Sequence, residues 1–168
     1  MLHTPNLLKL TSNLSNLSRI NGKLRDVCAH LVEISQYLLG NALALGLTRD
    51  DDTLHDDRIR LWNEFNRAWL VTLQRQLDMT EDMIRTAQPP QEPHSIISSQ
   101  ALERLIRELV KLCDSVEEHG LVDYQMGVAE EEIMDLLLRC LSLLDPVNAR
   151  NVEAAPLIPA PAAAGRLR

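Results

Sequence analysis

Paired carboxylates near the C-terminal end of the sequence are the residues best spaced for metal chemistry. The run Glu130-Glu131-Glu132-x-x-Asp135 puts Glu132 and Asp135 three residues apart, so both would lie on one face of a helix. Carboxylate oxygens bind magnesium, and a second such pair on a neighbouring helix would complete a hydrolytic site. The sequence contains no Glu-x-x-Glu partner. Acids near a helix N-terminus are also stabilised by the helix dipole, so a solvated helix face is the simpler interpretation.

A second acidic run, Asp50-Asp51-Asp52, precedes His55 and Asp56. The spacing Asp52-x-x-His55 comes nearest to the Glu-x-x-His pairs of carboxylate-bridged di-iron bundles, but no such pair occurs. These residues suit the start of a helix, because their side chains accept hydrogen bonds from the free N–H groups of the first turn. The five histidines are dispersed, and the six glycines form no phosphate-binding loop. We therefore predict no enzyme, no metal site and no cofactor.

The charge of the chain bears on whether it binds nucleic acid, and its cysteines bear on the redox state of its compartment. The net charge is −7 and the isoelectric point is about 5.2. Arginines are scattered among acids and form no basic stripe, so nucleic-acid binding is not expected. Cys28, Cys113 and Cys140 form an odd set, each expected on the apolar face of a helix. They are expected to be buried and reduced, as in a reducing compartment.

The sequence predicts no contact with a membrane. The longest uncharged stretch, residues 34–48, contains polar residues and is too short for a hydrocarbon core of about 30 Å. The N-terminus lacks the pattern of a secretory signal, so we expect an intracellular protein, cytoplasmic or nuclear. Residues 1–25 contain no acid and several serines, which would also suit a mitochondrial presequence. An apolar repeat that runs through them without a boundary argues against that alternative.

This apolar repeat predicts one long first helix. Its residues are spaced by three and four, as in a heptad pattern: Leu7, Leu10, Leu14, Leu17, Asn21, Leu24, Cys28, Leu31, Ser35, Leu38, Ala42 and Leu45. If continuous, the helix would be about 58 Å long at 1.5 Å per residue. A break at Asn21-Gly22 is the alternative, because an Asn-Gly pair also marks turns.

Three further helices follow from periodicity, prolines and capping residues. The second, over about residues 53–87, carries the apolar residues Trp62, Phe65, Trp69, Leu73, Leu77 and Ile84. Three prolines then predict a linker over 88–98. Ser98 or Ser99 would cap the third helix, Gly120 would end it, and Asp123 would cap the fourth. The short connection between the third and fourth helices predicts a hairpin.

Together these elements predict an all-α protein, with an antiparallel helical bundle of four main helices over residues 1–146. Two helices would be long and two short, and linker 88–98 would join the two hairpins. Residues 147–168 are rich in Ala and Pro and are expected to form a disordered tail. Because the helix lengths differ, part of the apolar surface of the long hairpin would stay uncovered.

That uncovered surface predicts a non-enzymatic protein–protein interaction module: an adaptor, a complex subunit or a self-associating helical protein. The narrow leucine stripe of the first helix would suit one partner helix, with Asn21 fixing the register. The aromatic ridge could also anchor a partner, since Trp is enriched at binding hot spots, although such a ridge is typical of a core. The predicted contact residues are Leu7, Leu10, Leu14, Leu17, Asn21, Trp62, Phe65 and Trp69. The alternatives are a carrier of an apolar ligand inside the bundle and a magnesium-dependent all-α hydrolase using Glu132 and Asp135.

Overall fold

Five α-helices make up most of the chain that the computed structural model describes, namely residues 4–17, 23–48, 53, 55–123, 127–147 and 150. The helices are α1 (Thr4–Leu17), α2 (Leu24–Gly40), α3 (His55–Thr86), α4 (Ser99–Glu117) and α5 (Glu130–Leu144). Side chains of α1 are described from Leu8 onward. Within these residues there is no strand, so the predicted all-α class is confirmed. Of the predicted tail, only Val147 and Arg150 lie within the described residues.

The predicted single long first helix is wrong. α1 ends at Leu17 and α2 begins at Leu24, and Lys23 between them has φ −92° and ψ 61°, outside the helical region. The Leu24 N–H donates to the Ser95 carbonyl over 3.3 Å, which satisfies a donor that a continuous helix would pair internally. A heptad pattern fails here because two successive helices can share one apolar periodicity. The alternative break at Asn21-Gly22 lies outside the described residues.

α3 is the central helix, and it packs on α1, α2 and α5, while α4 packs on α2 and α5. Its buried residues recur every three or four positions: Arg58, Leu61, Trp62, Phe65, Ala68, Trp69, Thr72, Leu73, Gln76, Leu77 and Thr80. Ile84, predicted on this face, is 55% exposed. That part of the prediction is wrong, because the buried face of α3 ends at Thr80.

Residues 87–98 are non-helical and connect α3 to α4. The Gln76 amide holds this segment, because its Nε2 donates to the Ile97 carbonyl (2.9 Å) and its Oε1 accepts from the Ile97 N–H (2.7 Å). Ser98 caps α4 as predicted, accepting a hydrogen bond from the Ala101 N–H over 3.2 Å. The connection is thus fixed to α3 immediately before α4 begins.

The connection from α4 to α5 is longer than predicted, since α5 begins only at Glu130. Asp123 still contributes to the start of α5, because its Oδ1 accepts from the Glu131 N–H over 3.1 Å. Asn66 of α3 binds the last residues of this connection, just before α5 begins. Its Nδ2 donates to the Gly127 carbonyl and its Oδ1 accepts from the Ala129 N–H, both over 2.9 Å.

α2 and α4 lie side by side and run in the same direction. Lys23 forms a parallel backbone bridge with Ser95 just before the two helices begin. Further along, the Gln36 Nε2 donates to Glu108 Oε1 over 3.1 Å, and both pairs join residues 72 positions apart. Their outer faces therefore adjoin along several turns.

None of the helices in the described part of the chain combines the length and the hydrophobicity needed to cross a membrane.

Candidate functional site: the groove between α2 and α4

A groove of about 530 Å³, open to solvent, lies between α2 and α4. Its floor is apolar and is formed by Cys28, Ala29 and Val32 from α2 and by Ala101 and Leu105 from α4. Leu105 belongs to the buried core, and Cys28, Val32 and Ala101 pack against that core. Ala29 and Ala101 have short side chains, so another backbone can approach both helices closely. We call this surface the α2–α4 groove.

Cations from α4 line the α2–α4 groove. Arg104, Arg107 and Lys111 are spaced by three and four residues, which puts them along one side of the helix. Arg107 forms an ion pair with Glu103 over 2.6 Å. Within the described part of the chain, neither Arg104 nor Lys111 forms an ion pair. The lining has three cations and one carboxylate, whereas the whole chain has a net charge of −7.

Cys28 contributes apolar surface to the groove floor. Burial raises the pKa of its thiol from 9.0 to about 11, an effect that the nearby Arg104 guanidinium partly offsets. Because the thiolate is the reactive form, Cys28 is a weak nucleophile at neutral pH. Cys113 and Cys140 are buried as predicted, but Cys28 is only half-buried. That part of the cysteine prediction is corrected, because the outer side of α2 at this point faces the groove.

The structure places the described part of the predicted leucine stripe against the chain's own core. Leu14 and Leu17 are buried, and the half-buried Leu10 packs on the same core. Leu7 lies in α1 with its side chain outside the described residues, and Asn21 lies outside them altogether. A partner could contact Leu14 or Leu17 only if α1 moved away from the core. Contact between this stripe and a partner therefore stays a prediction.

The aromatic ridge is also internal in this chain. Trp62 and Phe65 have no exposed surface, and their rings meet edge to face with centroids 5.7 Å apart. Trp69 is 2% exposed, and its Nε1 donates to Ser35 Oγ over 3.1 Å. The Ser35 hydroxyl in turn donates to the Leu31 carbonyl over 2.7 Å. The ridge thus forms core packing and hydrogen bonds within the chain, and a role in binding stays a prediction.

Sequence reasoning missed the α2–α4 groove. One signal was present, since the cations Arg104, Arg107 and Lys111 recur at helical spacing among the apolar residues of α4. The missing information was tertiary, because periodicity within one helix does not identify its neighbour. The two walls of the groove are far apart in sequence and meet only because α2 lies alongside α4.

The acidic runs do not form a metal-binding geometry in the described residues. There, no group of three or more His, Cys, Asp or Glu side chains is placed to hold an ion. Asp135 lies 3.9 Å from Arg139, both well exposed, and Glu132 is exposed on α5. His55 is exposed at the start of α3, while Asp50, Asp51 and Asp52 lie outside the described residues.

Comparison with known proteins does not assign the chain to a family. No protein-family model matches it, and neither a curated protein nor a solved structure matches it significantly.

Proposed function

We propose that this protein is a non-enzymatic interaction module and that its α2–α4 groove holds a segment of an intracellular protein partner. The observation that carries this proposal is the combination of an apolar floor and a charged rim in a strip between two helices. Amphipathic helices bind by laying their apolar face into a groove of this kind. Covering the floor removes apolar surface from water, which stabilises a complex by about 25 cal/mol per Å² before the costs of association.

We also propose how the helices around the groove are arranged. We infer that α2 and α3 form one antiparallel hairpin of a helical bundle and that α4 and α5 form another. Two contacts support the first hairpin: Trp69 bonds to Ser35, and the Arg58 guanidinium donates to the Gly46 carbonyl over 2.8 Å. Residue numbers fall along α3 as they rise from α2 into the following turn, as expected for opposite directions. A bundle of this kind would fix the spacing of α2 and α4 before a partner binds.

A carrier of an apolar ligand is the second candidate, and the groove volume favours it. Ligand sites commonly enclose about 300–1,000 Å³, a range that includes the volume of the α2–α4 groove. Such sites also bury about 70–90% of a ligand's surface. Because this groove is open to solvent between two helices, a small ligand would stay largely exposed. A partner helix would cover the floor more completely, so we favour the protein partner.

Affinity purification of the full chain tests the proposal. The tagged wild type is compared with Ala29→Glu, which puts a carboxylate on the groove floor, and with Ser142→Glu, which adds one at an exposed position of α5. We expect the wild type and Ser142→Glu to recover a partner at near-equal amount. Recovery by Ala29→Glu should fall by about ten-fold or more, because a charge would be buried in the interface.

Two results would contradict the proposal. Recovery of the tagged chain alone, or only with copies of itself, would exclude a stable protein partner. Undiminished recovery by Ala29→Glu would show that the contact lies elsewhere. Leu10→Glu, measured in parallel, tests whether the leucine stripe of α1 contributes to binding. Circular dichroism on all variants separates loss of binding from loss of folding.

A further inference from the structure

We infer that the segment held by the α2–α4 groove is an acidic amphipathic helix of another protein, about three turns long. This inference rests on the proposed function and adds the chemical class of the partner. Three features of the groove support it: its length, the small residues of its floor and the sign of its charge.

The dimensions of the groove fit a short helix. Its lining extends from Cys28 to Gln36 on α2 and from Ala101 to Lys111 on α4. At 1.5 Å per residue these segments are about 12 and 15 Å long, which corresponds to about ten residues of a partner helix. The short side chains of Ala29 and Ala101 leave room for large apolar side chains at helical spacing on the partner.

The positive charge of the groove favours acidic residues beside the apolar face of the partner helix. Arg104 and Lys111 are seven residues apart on α4, so their charges lie along one side of the groove, two turns apart. Carboxylates at the same spacing on the partner would face both cations. The carboxylate in the lining, Glu108, already accepts a hydrogen bond from Gln36. An acidic helix would therefore meet two cations that form no ion pair within the described residues.

The last part of this chain does not have the matching charge. Residues 151–168 contain one acid, Glu153, and two arginines, together with three prolines that cannot continue a helix. Charge complementarity therefore favours a segment from another protein over this stretch.

Three synthetic peptides of about 14 residues, long enough for the three turns, test the inference. They share one apolar face of leucines spaced by three and four, and their polar positions carry Glu, Gln or Lys. Binding to the full-length chain is measured by fluorescence anisotropy. We expect the Glu peptide to bind about ten-fold more tightly than the Gln peptide. Its affinity should fall when salt rises from about 0.05 to about 0.3 M, because salt screens exposed charges.

Charge-reversal variants locate the binding site. Arg104→Glu and Lys111→Glu should each weaken binding of the Glu peptide by about ten-fold. Arg139→Glu on α5 is the matched control, an exposed arginine outside the groove, and should leave binding unchanged. The Glu peptide should also slow alkylation of Cys28 at about pH 9, where a measurable fraction of the thiol ionises. The Lys peptide should give no such protection.

Several outcomes would overturn the inference. One is that the Glu peptide does not bind at about 100 μM. Another is that the Gln or the Lys peptide binds as tightly as the Glu peptide. A third is that Arg139→Glu weakens binding of the Glu peptide as much as Lys111→Glu does. Displacement of the Glu peptide by laurate at similar concentration would instead indicate a site for small anionic amphiphiles. A dimer that Ala29→Glu abolishes would indicate a second copy of this chain as the occupant.

The two proposals can fail separately. If Ala29→Glu loses the partner recovered from lysate but the Glu peptide has no preference, the interaction module stands and the acidic helix is wrong. If Ala29→Glu keeps that partner, the proposed function itself fails.

Discussion

At the scale of single residues, two amide side chains of α3 fix the connections between helices. Asn66 bonds to the Gly127 carbonyl and the Ala129 N–H, while Gln76 bonds to both peptide groups of Ile97. Peptide groups outside a helix need other partners when they are buried, and one amide offers both a donor and an acceptor. α3 therefore positions the non-helical segments before and after α4, in addition to forming the core.

Gln76→Ala should destabilise the protein by about 3 kcal/mol, because it leaves the peptide groups of Ile97 buried without partners. Gln76 is fully buried and Ile97 is 1% exposed, so bulk solvent does not reach these peptide groups in the folded protein. The matched control is Gln74→Ala, which removes an exposed amide from the same helix and should cost less than about 0.5 kcal/mol. Urea denaturation of both variants measures the difference. Similar losses would show that the Gln76 bonds do not stabilise the fold.

The hydrogen-bond partners of polar residues can be predicted from the sequence only where they are local. The sequence predicts Ser98 or Ser99 as a cap because the partner of a capping residue is close in sequence, and Ser98 accepts from the N–H three residues later. Ser35 falls within the heptad pattern, and nothing near it in sequence shows that it accepts a bond from Trp69. Asn66 and Gln76 likewise bond to residues 21 or more positions away, so their roles depend on the tertiary structure.

At the scale of elements, the ends of the helices were predictable where a local signal sets them. Ser98 caps the N-terminus of α4. Gly120 lies three residues after Glu117, the last residue of α4, and has φ 72°, a left-handed conformation that glycine adopts readily. The start of α5 was misjudged, because a loop with a backbone bridge between Val122 and Val128 precedes it. α1 ends at Leu17, earlier than the predicted first helix, and α2 begins at Leu24, whose N–H donates to the Ser95 carbonyl across a distance of 71 residues in sequence.

Gly127→Ala should destabilise this loop by about 2 kcal/mol or more, because the new methyl group would collide with the backbone. A Cβ at Gly127 would lie 2.4 Å from the Leu121 carbonyl oxygen, and a backbone atom cannot move aside as a side chain can. Gly40→Ala is the matched control, since no atom beyond its chain neighbours and the adjacent backbone of α2 lies within 4 Å of its Cβ position. It should be neutral or stabilising by up to about 1 kcal/mol. Thermal denaturation, monitored by circular dichroism, compares the two variants. Equal melting temperatures would show that Gly127 does not lie so close to the Leu121 backbone.

At the scale of the whole molecule, exposed large apolar side chains do occur on the two elements of the predicted long hairpin, namely Tyr37, Leu43, Val71 and Ile84. A single long first helix would have left the surplus on the long hairpin. Because the helix is divided, α1 packs on α3 and covers part of that surface with Leu14 and Leu17. The α2–α4 groove adds a further apolar strip, formed largely by half-buried side chains of the two helices. Composition and periodicity were enough to predict the helices, but only the packing of the whole chain determines which faces remain open.

α1 should belong to the same cooperative unit as the core, because α3 packs on α1, α2 and α5 together. Leu14→Ala should destabilise the protein by about 2–5 kcal/mol, while Leu8→Ala, at a position that is 45% exposed, should cost less than about 0.5 kcal/mol. Both tryptophans lie on α3, so their fluorescence reports on the core and circular dichroism reports on all the helices. In urea, Leu14→Ala should lower the midpoints of both signals equally. The opposite result would be a loss of part of the dichroism signal at lower urea concentration, with the fluorescence midpoint unchanged. In that case α1 unfolds separately, and its leucine stripe would be free to contact a partner.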